Sequence, residues 1–213
     1  MGRGHSIHRS LTFLALACLS FVALLALSLV QYGICGPAED LVEKARAQIG
    51  ITVIYDGSYK SLNYPNGDIP LNRGVCTDVV IRALRDALNL DLQQMVHEDM
   101  KTNFSKYPTR WGLKRPDTNI DHRRVLNLKT FFQRKGWSLE VTKNAADYRP
   151  GDIVACTIPG NLPHIMIVSN NKGRKGIPLI IHNIGAGTQE EDRLFEFDLT
   201  GHFRIPSNED GSS

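Results

Sequence analysis

The sequence lacks a strong excess of charge and several signatures of common catalytic classes. Its 25 basic and 22 acidic residues give a formal net charge of +3. Without Arg3 and Arg9, the remaining chain carries 23 basic residues against 22 acidic ones, a net charge of +1. This balance gives no electrostatic basis for binding nucleic acid. The chain also has no Gly-x-Ser-x-Gly elbow, no phosphate-binding glycine-rich loop and no internal repeat.

Cysteine is scarce, and this limits both disulfide and metal hypotheses. Of the four cysteines, Cys18 lies in the amino-terminal apolar segment and Cys35 at its edge, which leaves Cys76 and Cys156 for the folded domain. An oxidising compartment would permit a bridge between them, but Cys156 is predicted inside a strand, where the geometry for a bridge is rarely met. A metal site at Cys76, His164 and His182 lacks the four closely spaced ligands of structural zinc. We therefore predict no metal and no other cofactor.

Acidic residues are absent before Glu39, and this absence marks the start of the chain as an export segment. A short basic stretch precedes an uncharged run over residues 11–30, which is long enough to span a bilayer. We predict that residues 1–36 are a signal peptide or an anchor in the inner membrane. The rest of the chain is then expected in the periplasm or cell envelope.

Beyond this segment, the chain is long enough for one domain with a core, which we place at residues 37–205. Residues 206–213 are predicted to be a mobile tail. A polar insertion over residues 97–119 precedes a predicted helix at about residues 121–135. The insertion is interpreted as a surface loop, with a substrate-binding role for Asp121, His122 or Arg123 as the alternative.

Cys76 is the first candidate for a reactive side chain. It follows a run rich in glycine, proline and asparagine, and it opens a segment that extends to Leu88 with helical periodicity of apolar residues. Its backbone is expected in the first helical turn, where free N–H groups and the helix dipole favour a thiolate. We therefore expect Cys76 to be more acidic than a free cysteine.

Two histidines are candidates for partners of this thiol. Three short apolar strands are predicted at residues 152–158, 164–169 and 179–184, with turn residues between the last two. A turn centred on Gly173 would place His164 directly opposite His182, with roughly 5 Å between their Cβ atoms. A slip of one residue would bring Asn183 to that face instead.

A thiol, a base and a group that orients the base meet the requirement for nucleophilic catalysis. Each residue alone also fits a structural role, because a cysteine on an apolar helical face is usually part of the core. The catalytic hypothesis depends on the three occurring together.

The order of these segments resembles that of the papain-like cell-wall peptidases and amidases of the NlpC type. The matching pieces are Gly74-Val-Cys76, Arg149-Pro-Gly-Asp-Ile-Val154, His164-Ile-Met-Ile-Val168 and Ile181-His182. A more specific resemblance, over about residues 40–205, is to the family named domain of unknown function 1287. Its segments include Tyr64-Pro-Asn-Gly-Asp68 and His182-Asn-Ile-Gly-Ala-Gly187. Unlike generic relatives, this chain has no acid before the cysteine, and Cys156 stands where an aromatic residue is usual.

The resemblance implies an α+β, papain-like fold in which a helix bearing Cys76 packs on an antiparallel sheet carrying the histidines. It implies Cys76 as nucleophile, His164 as base and His182 as orienting group. Tyr55, Tyr59 and Asn183 are further candidates for contacts with the oxyanion or the substrate. The expected function is an exported cysteine hydrolase that cleaves an amide bond in peptidoglycan stem peptides. The alternative is a non-catalytic envelope module, for binding or scaffolding, that retains the fold.

Overall fold

The computed structural model describes residues 36–206, which form an α+β fold. The expectations for the export segment and the tail lie outside these residues, except at Gly36 and Pro206. Within the described range, no helix combines the length and apolar character needed to cross a bilayer. The α-helices are α1 (Pro37–Arg46), α2 (Cys76–Leu88), α3 (Leu92–Asn103) and α4 (Val125–Arg134).

The strands are β1 (Ile54–Tyr55), β2 (Arg73–Gly74), β3 (Ser138–Leu139), β4 (Ile153–Ile158), β5 (Leu162–Lys172), β6 (Pro178–Asn183), β7 (Thr188–Glu191) and β8 (Asp198–Phe203). The main sheet is antiparallel and has six strands in the order β3-β8-β4-β5-β6-β7. A separate pair of two-residue strands, β1 with β2, is parallel and precedes the cysteine helix in the chain. The predicted α+β class and antiparallel sheet are thus confirmed.

The two faces of the sheet carry different parts of the core. Because successive side chains of a strand point to opposite faces, Ile165 and Ile167 of β5 contact the helices. Met166 and Val168 point the other way into a smaller apolar cluster. The cysteine helix therefore covers one face, and the even-numbered residues of β5 belong to the other.

The predicted pairing of β5 with β6 is wrong by two residues. The structure pairs Ile167 with Ile181 and Val168 with Ile180, so His182 is not directly opposite His164. The cause is the length of β5, which continues to Lys172 through an irregularity, so the reversal falls at residues 173–177. Since the side-chain period of a strand is two, this shift leaves His182 on the same face as His164.

Candidate functional site

Cys76 is the first residue of α2, as predicted, and its side chain is buried. The helix begins there because the Asp78 carboxylate accepts a hydrogen bond of 2.7 Å from the Val75 N–H. The backbone N–H groups of Cys76, Thr77 and Ile165 lie near the sulfur and lower the pKa of the thiol. At this end of the sheet, the pairing of β5 with β6 stops at Ile167, which pairs with Ile181. Ile165 lies beyond this pair, and its N–H lies near the thiol.

The expected acidity of Cys76 is not what the structure gives. Burial raises the pKa of the thiol to about 12, and the nearby Asp78 carboxylate also raises it. The three N–H donors oppose these effects without offsetting them. The prediction of a lowered pKa was therefore wrong, because it considered the helix terminus and omitted the cost of desolvating a buried anion.

His164 and His182 form a buried, hydrogen-bonded pair. The distance from His164 Nε2 to His182 Nδ1 is 2.8 Å, and the rings meet edge to face. The predicted shared face is thus confirmed, although the pairing register differs. Burial lowers the pKa of His164 to about 3, so its imidazole is neutral at physiological pH.

The thiol and the imidazole pair lie on different sides of the sheet. Cys76 belongs to the cluster that contacts the helices, whereas His164 shares the face of Met166, which belongs to the smaller cluster. Among residues 36–206, no hydrogen bond joins the thiol to either imidazole. The sulfur nevertheless contacts the N–H of Ile165, the residue next to His164. The structure therefore brings the two histidines together and places the thiol beside the strand that carries the first of them.

Glu191 belongs to this cluster and was missed by the sequence analysis. Its Oε2 lies 2.8 Å from His182 Nε2, and Arg193 Nη1 lies 3.5 Å from the same oxygen. In the ladder of β6 with β7, His182 pairs with Gln189, so Glu191 is the diagonal neighbour on the same face. The signal available in the sequence was period-two spacing along β7, but β7 was not among the predicted strands.

A buried ion pair fixes the start of the cysteine helix. Arg123 Nε lies 2.9 Å from Asp78 Oδ1, and Arg123 Nη2 lies 2.9 Å from Asp78 Oδ2. The same guanidinium donates to the carbonyls of Asp56 and Ser58, in the loop after β1.

The segment Asp121–Arg123 is a buried 3-10 helix. The surface loop predicted at residues 97–119 is wrong at its start, because α3 continues to Asn103 and a 3-10 turn follows at Phe104–Lys106. Arg123 pairs with Asp78 in the first turn of α2, and the Asp121 carboxylate accepts a hydrogen bond from the Asp117 N–H. The predicted helix at residues 121–135 is in fact this short turn followed by α4.

Of the other candidates, Tyr55 lies beside the thiol. It is half exposed, it pairs with Gly74 in the β1–β2 ladder, and burial and then the Cys76 charge raise its pKa to about 12. The hydroxyl of Tyr59 instead contacts Asp117 and Asn119 in the insertion. Asn183 lies on the helix-facing side, where its amide donates to the Gly74 carbonyl. Asn183 therefore holds the strand before Cys76 and does not take the place of His182.

The second thiol, Cys156, lies directly opposite His164 in the β4–β5 ladder. Both Cys76 and Cys156 are free and buried, so the structure contains no bridge between them. Within the described part of the chain, no group of three or more His, Cys, Asp or Glu side chains has the arrangement of a metal site. Among the described residues, hydrogen bonds join the two imidazoles to the Glu191 carboxylate but do not include the Cys76 thiol.

The comparisons with known proteins identify the family. Residues 42–205 match the family described as Domain of unknown function (DUF1287), and the chain belongs to that family. The uncharacterized protein YijF of Escherichia coli (strain K12) is 55% identical over 164 residues, which cover 77% of this chain and 80% of that protein. A solved structure of an N-acetylmuramoyl-L-alanine amidase from Bacteroides uniformis is 13% identical, with a TM-score of 0.47, and covers 78% of this chain and 97% of that one.

Proposed function

We propose that the protein is an exported cysteine hydrolase of papain-like, NlpC type that cleaves an amide bond in peptidoglycan stem peptides. The observation that carries the proposal is the position of the Cys76 thiol. Backbone N–H groups at the start of α2 lie near the sulfur. The thiol also lies near Ile165 of β5, and the adjacent residue of that strand, His164, belongs to the buried imidazole pair. His164 is the neighbour of Ile165 in β5, so the proposed proton transfer requires its ring to reach the thiol at the end of the β5–β6 pairing.

The proposed reaction starts from a neutral thiol and a neutral imidazole. Burial disfavours the charge on both groups, so the proton leaves Cys76 as the sulfur attacks the amide carbonyl and is taken up by His164. The S–C bond forms, the C–N bond breaks, and His164 returns the proton to the leaving amine. Water then hydrolyses the thioester. The N–H groups of Cys76 and Thr77 are the proposed donors to the oxyanion.

The proposed substrate and location follow from the order of the motifs and the start of the chain. In chain order, a helix that begins with Cys76 comes before two strands that carry His164 and His182. This order supports an enzyme similar to the NlpC-type cell-wall hydrolases. The uncharged run at residues 11–30 supports delivery across the inner membrane, with the domain in the periplasm or held at the membrane. Exposed apolar side chains at Tyr55 and Leu162 offer contact surface near the thiol and near the start of β5.

The test compares the two thiols on defined muropeptides, with products identified by mass spectrometry. The unsubstituted protein is expected to release a stem-peptide fragment, and Cys76→Ala is expected to reduce turnover to background. Cys156→Ala is the matched control, since it removes a buried thiol opposite His164, and it is expected to retain most of the activity. Turnover that survives in Cys76→Ala would contradict the assignment. A folded protein that binds muropeptides without cleaving them would favour the envelope binding module instead.

A further inference from the structure

A linear chain of hydrogen-bonding groups runs across three adjacent strands, from β5 through β6 to β7. Both links, His164 Nε2 to His182 Nδ1 and His182 Nε2 to Glu191 Oε2, measure 2.8 Å. The two imidazoles are almost fully buried, whereas the Glu191 side chain is 36% exposed. Each link uses a specific ring nitrogen, so the direction of every proton can be derived.

The Glu191 carboxylate, when ionised, only accepts hydrogen bonds. His182 therefore donates from Nε2. A neutral imidazole carries one N–H, so Nδ1 of His182 is an acceptor, and His164 must donate to it from Nε2. The remaining nitrogen of His164, Nδ1, is then unprotonated. Burial lowers the pKa of both rings, which is consistent with their neutral forms.

We propose that Glu191 is a positioning residue that fixes the tautomers of both histidines and so leaves Nδ1 of His164 free as the base for Cys76. The inference rests on the proposed function, since it assigns a nitrogen to the proton-transfer step. When Nδ1 takes the thiol proton, His164 becomes an imidazolium that still donates from Nε2 to His182. The negative charge of Glu191, relayed through His182, stabilises that cation.

The surroundings of Glu191 supply a matched control. Arg193 contacts both Glu191 and Glu196, and its closer contacts, 2.6 and 2.7 Å, are to Glu196. Among the described residues, Glu196 makes no hydrogen bond to a histidine. Removing the Glu196 carboxylate thus disturbs Arg193 without removing the acceptor of His182.

The experiment compares Glu191→Leu with Glu196→Leu in the otherwise unchanged protein. Nitrogen-15 NMR of the imidazole rings reports which nitrogens carry protons, independently of activity. The unsubstituted protein and Glu196→Leu are expected to show His164 protonated at Nε2 alone. Glu191→Leu is expected to show a mixture of tautomers, with kcat lowered at least about tenfold and KM little changed.

Glu191→Gln is the second variant, because it keeps the size of the side chain and one acceptor oxygen but adds a competing N–H donor. It is expected to show a smaller but measurable fraction of His164 protonated at Nδ1. Ring-nitrogen shifts that are the same in Glu191→Leu, Glu191→Gln and the unsubstituted protein would overturn the inference. Expected tautomers in a protein that cleaves no muropeptide would instead overturn the proposed function and leave the role of Glu191 intact.

Discussion

At the scale of single residues, burial controls the chemistry of the site. The Cys76 thiol and the His164 imidazole lie in apolar surroundings that raise the pKa of the first and lower the pKa of the second. Both groups are therefore neutral at rest, in contrast to a preformed thiolate–imidazolium pair. In the proposed reaction, the N–H groups near the sulfur stabilise negative charge only as it develops.

The first prediction concerns alkylation of Cys76 by iodoacetamide. Because the thiolate is the reactive form, a pKa of about 12 makes the folded protein react at pH 7.5 at least about tenfold more slowly than the urea-unfolded chain. Peptide mapping would separate the modification of Cys76 from that of Cys156. The rate is expected to keep rising above pH 9, and a plateau below pH 7 would show a resting thiolate instead.

At the scale of elements, the insertion before α4 is tied to the cysteine helix. The Asp78–Arg123 pair joins the first turn of α2 to the buried turn Asp121–Arg123 and, through backbone carbonyls, to the loop after β1. Thr77 adds a hydrogen bond of 3.1 Å to the Arg123 carbonyl. These contacts make the position of Cys76 dependent on a segment more than forty residues later in the sequence.

The second prediction follows from this dependence. Replacing Arg123 by Gln leaves the Asp78 carboxylate buried without its partner, so we expect a loss of about 3–5 kcal/mol in the free energy of unfolding. Arg110→Gln is the control, since Arg110 is an exposed arginine of the same insertion, and it should change stability by less than about 0.5 kcal/mol. Urea denaturation followed by circular dichroism measures both. Equal losses in the two variants would show that the buried pair is not a specific anchor.

At the scale of the whole molecule, several histidines are folded into the interior in their neutral form. Burial lowers the pKa of His122 to about 4 and that of His164 to about 3, and it also lowers the pKa of His182. In the unfolded chain these groups take up protons near pH 6.5. Their contribution to stability is thus fully present above pH 6.5 and is lost as the pH falls toward the folded-state values.

The third prediction tests this linkage at His122, which lies outside the proposed catalytic chain. Each such histidine should cost about 1.4 kcal/mol of unfolding free energy per pH unit below pH 6. His122→Gln should therefore flatten the decline between pH 6 and pH 5 by about 1 kcal/mol, as measured by urea denaturation at each pH. A decline with the same slope in both proteins would mean that His122 is already charged, or already exposed, in the folded state.

The pattern of residues was sufficient to predict the cysteine helix, the strands of the two histidines and the face of the sheet that these histidines share, but not their pairing. Helical periodicity after Cys76 predicted α2, and alternation predicted the strands of His164 and His182. The predicted register was wrong by two residues, but the prediction that both histidines lie on one face was still correct. The reason is that side chains return to the same face at every second position along a strand. The same periodicity excluded Asn183 from that face.

Only the tertiary structure decided the electrostatics and the remaining members of the site. The burial that raises the pKa of Cys76 depends on elements far from it in sequence, and local rules for a helix start do not include that cost. Glu191 lies in the site because it contacts His182 diagonally across β6 and β7. Arg123 lies there because it forms an ion pair with Asp78, which is far from it in sequence. Local sequence patterns determine periodicity within an element, whereas the distance between side chains on different elements is set by how those elements pack.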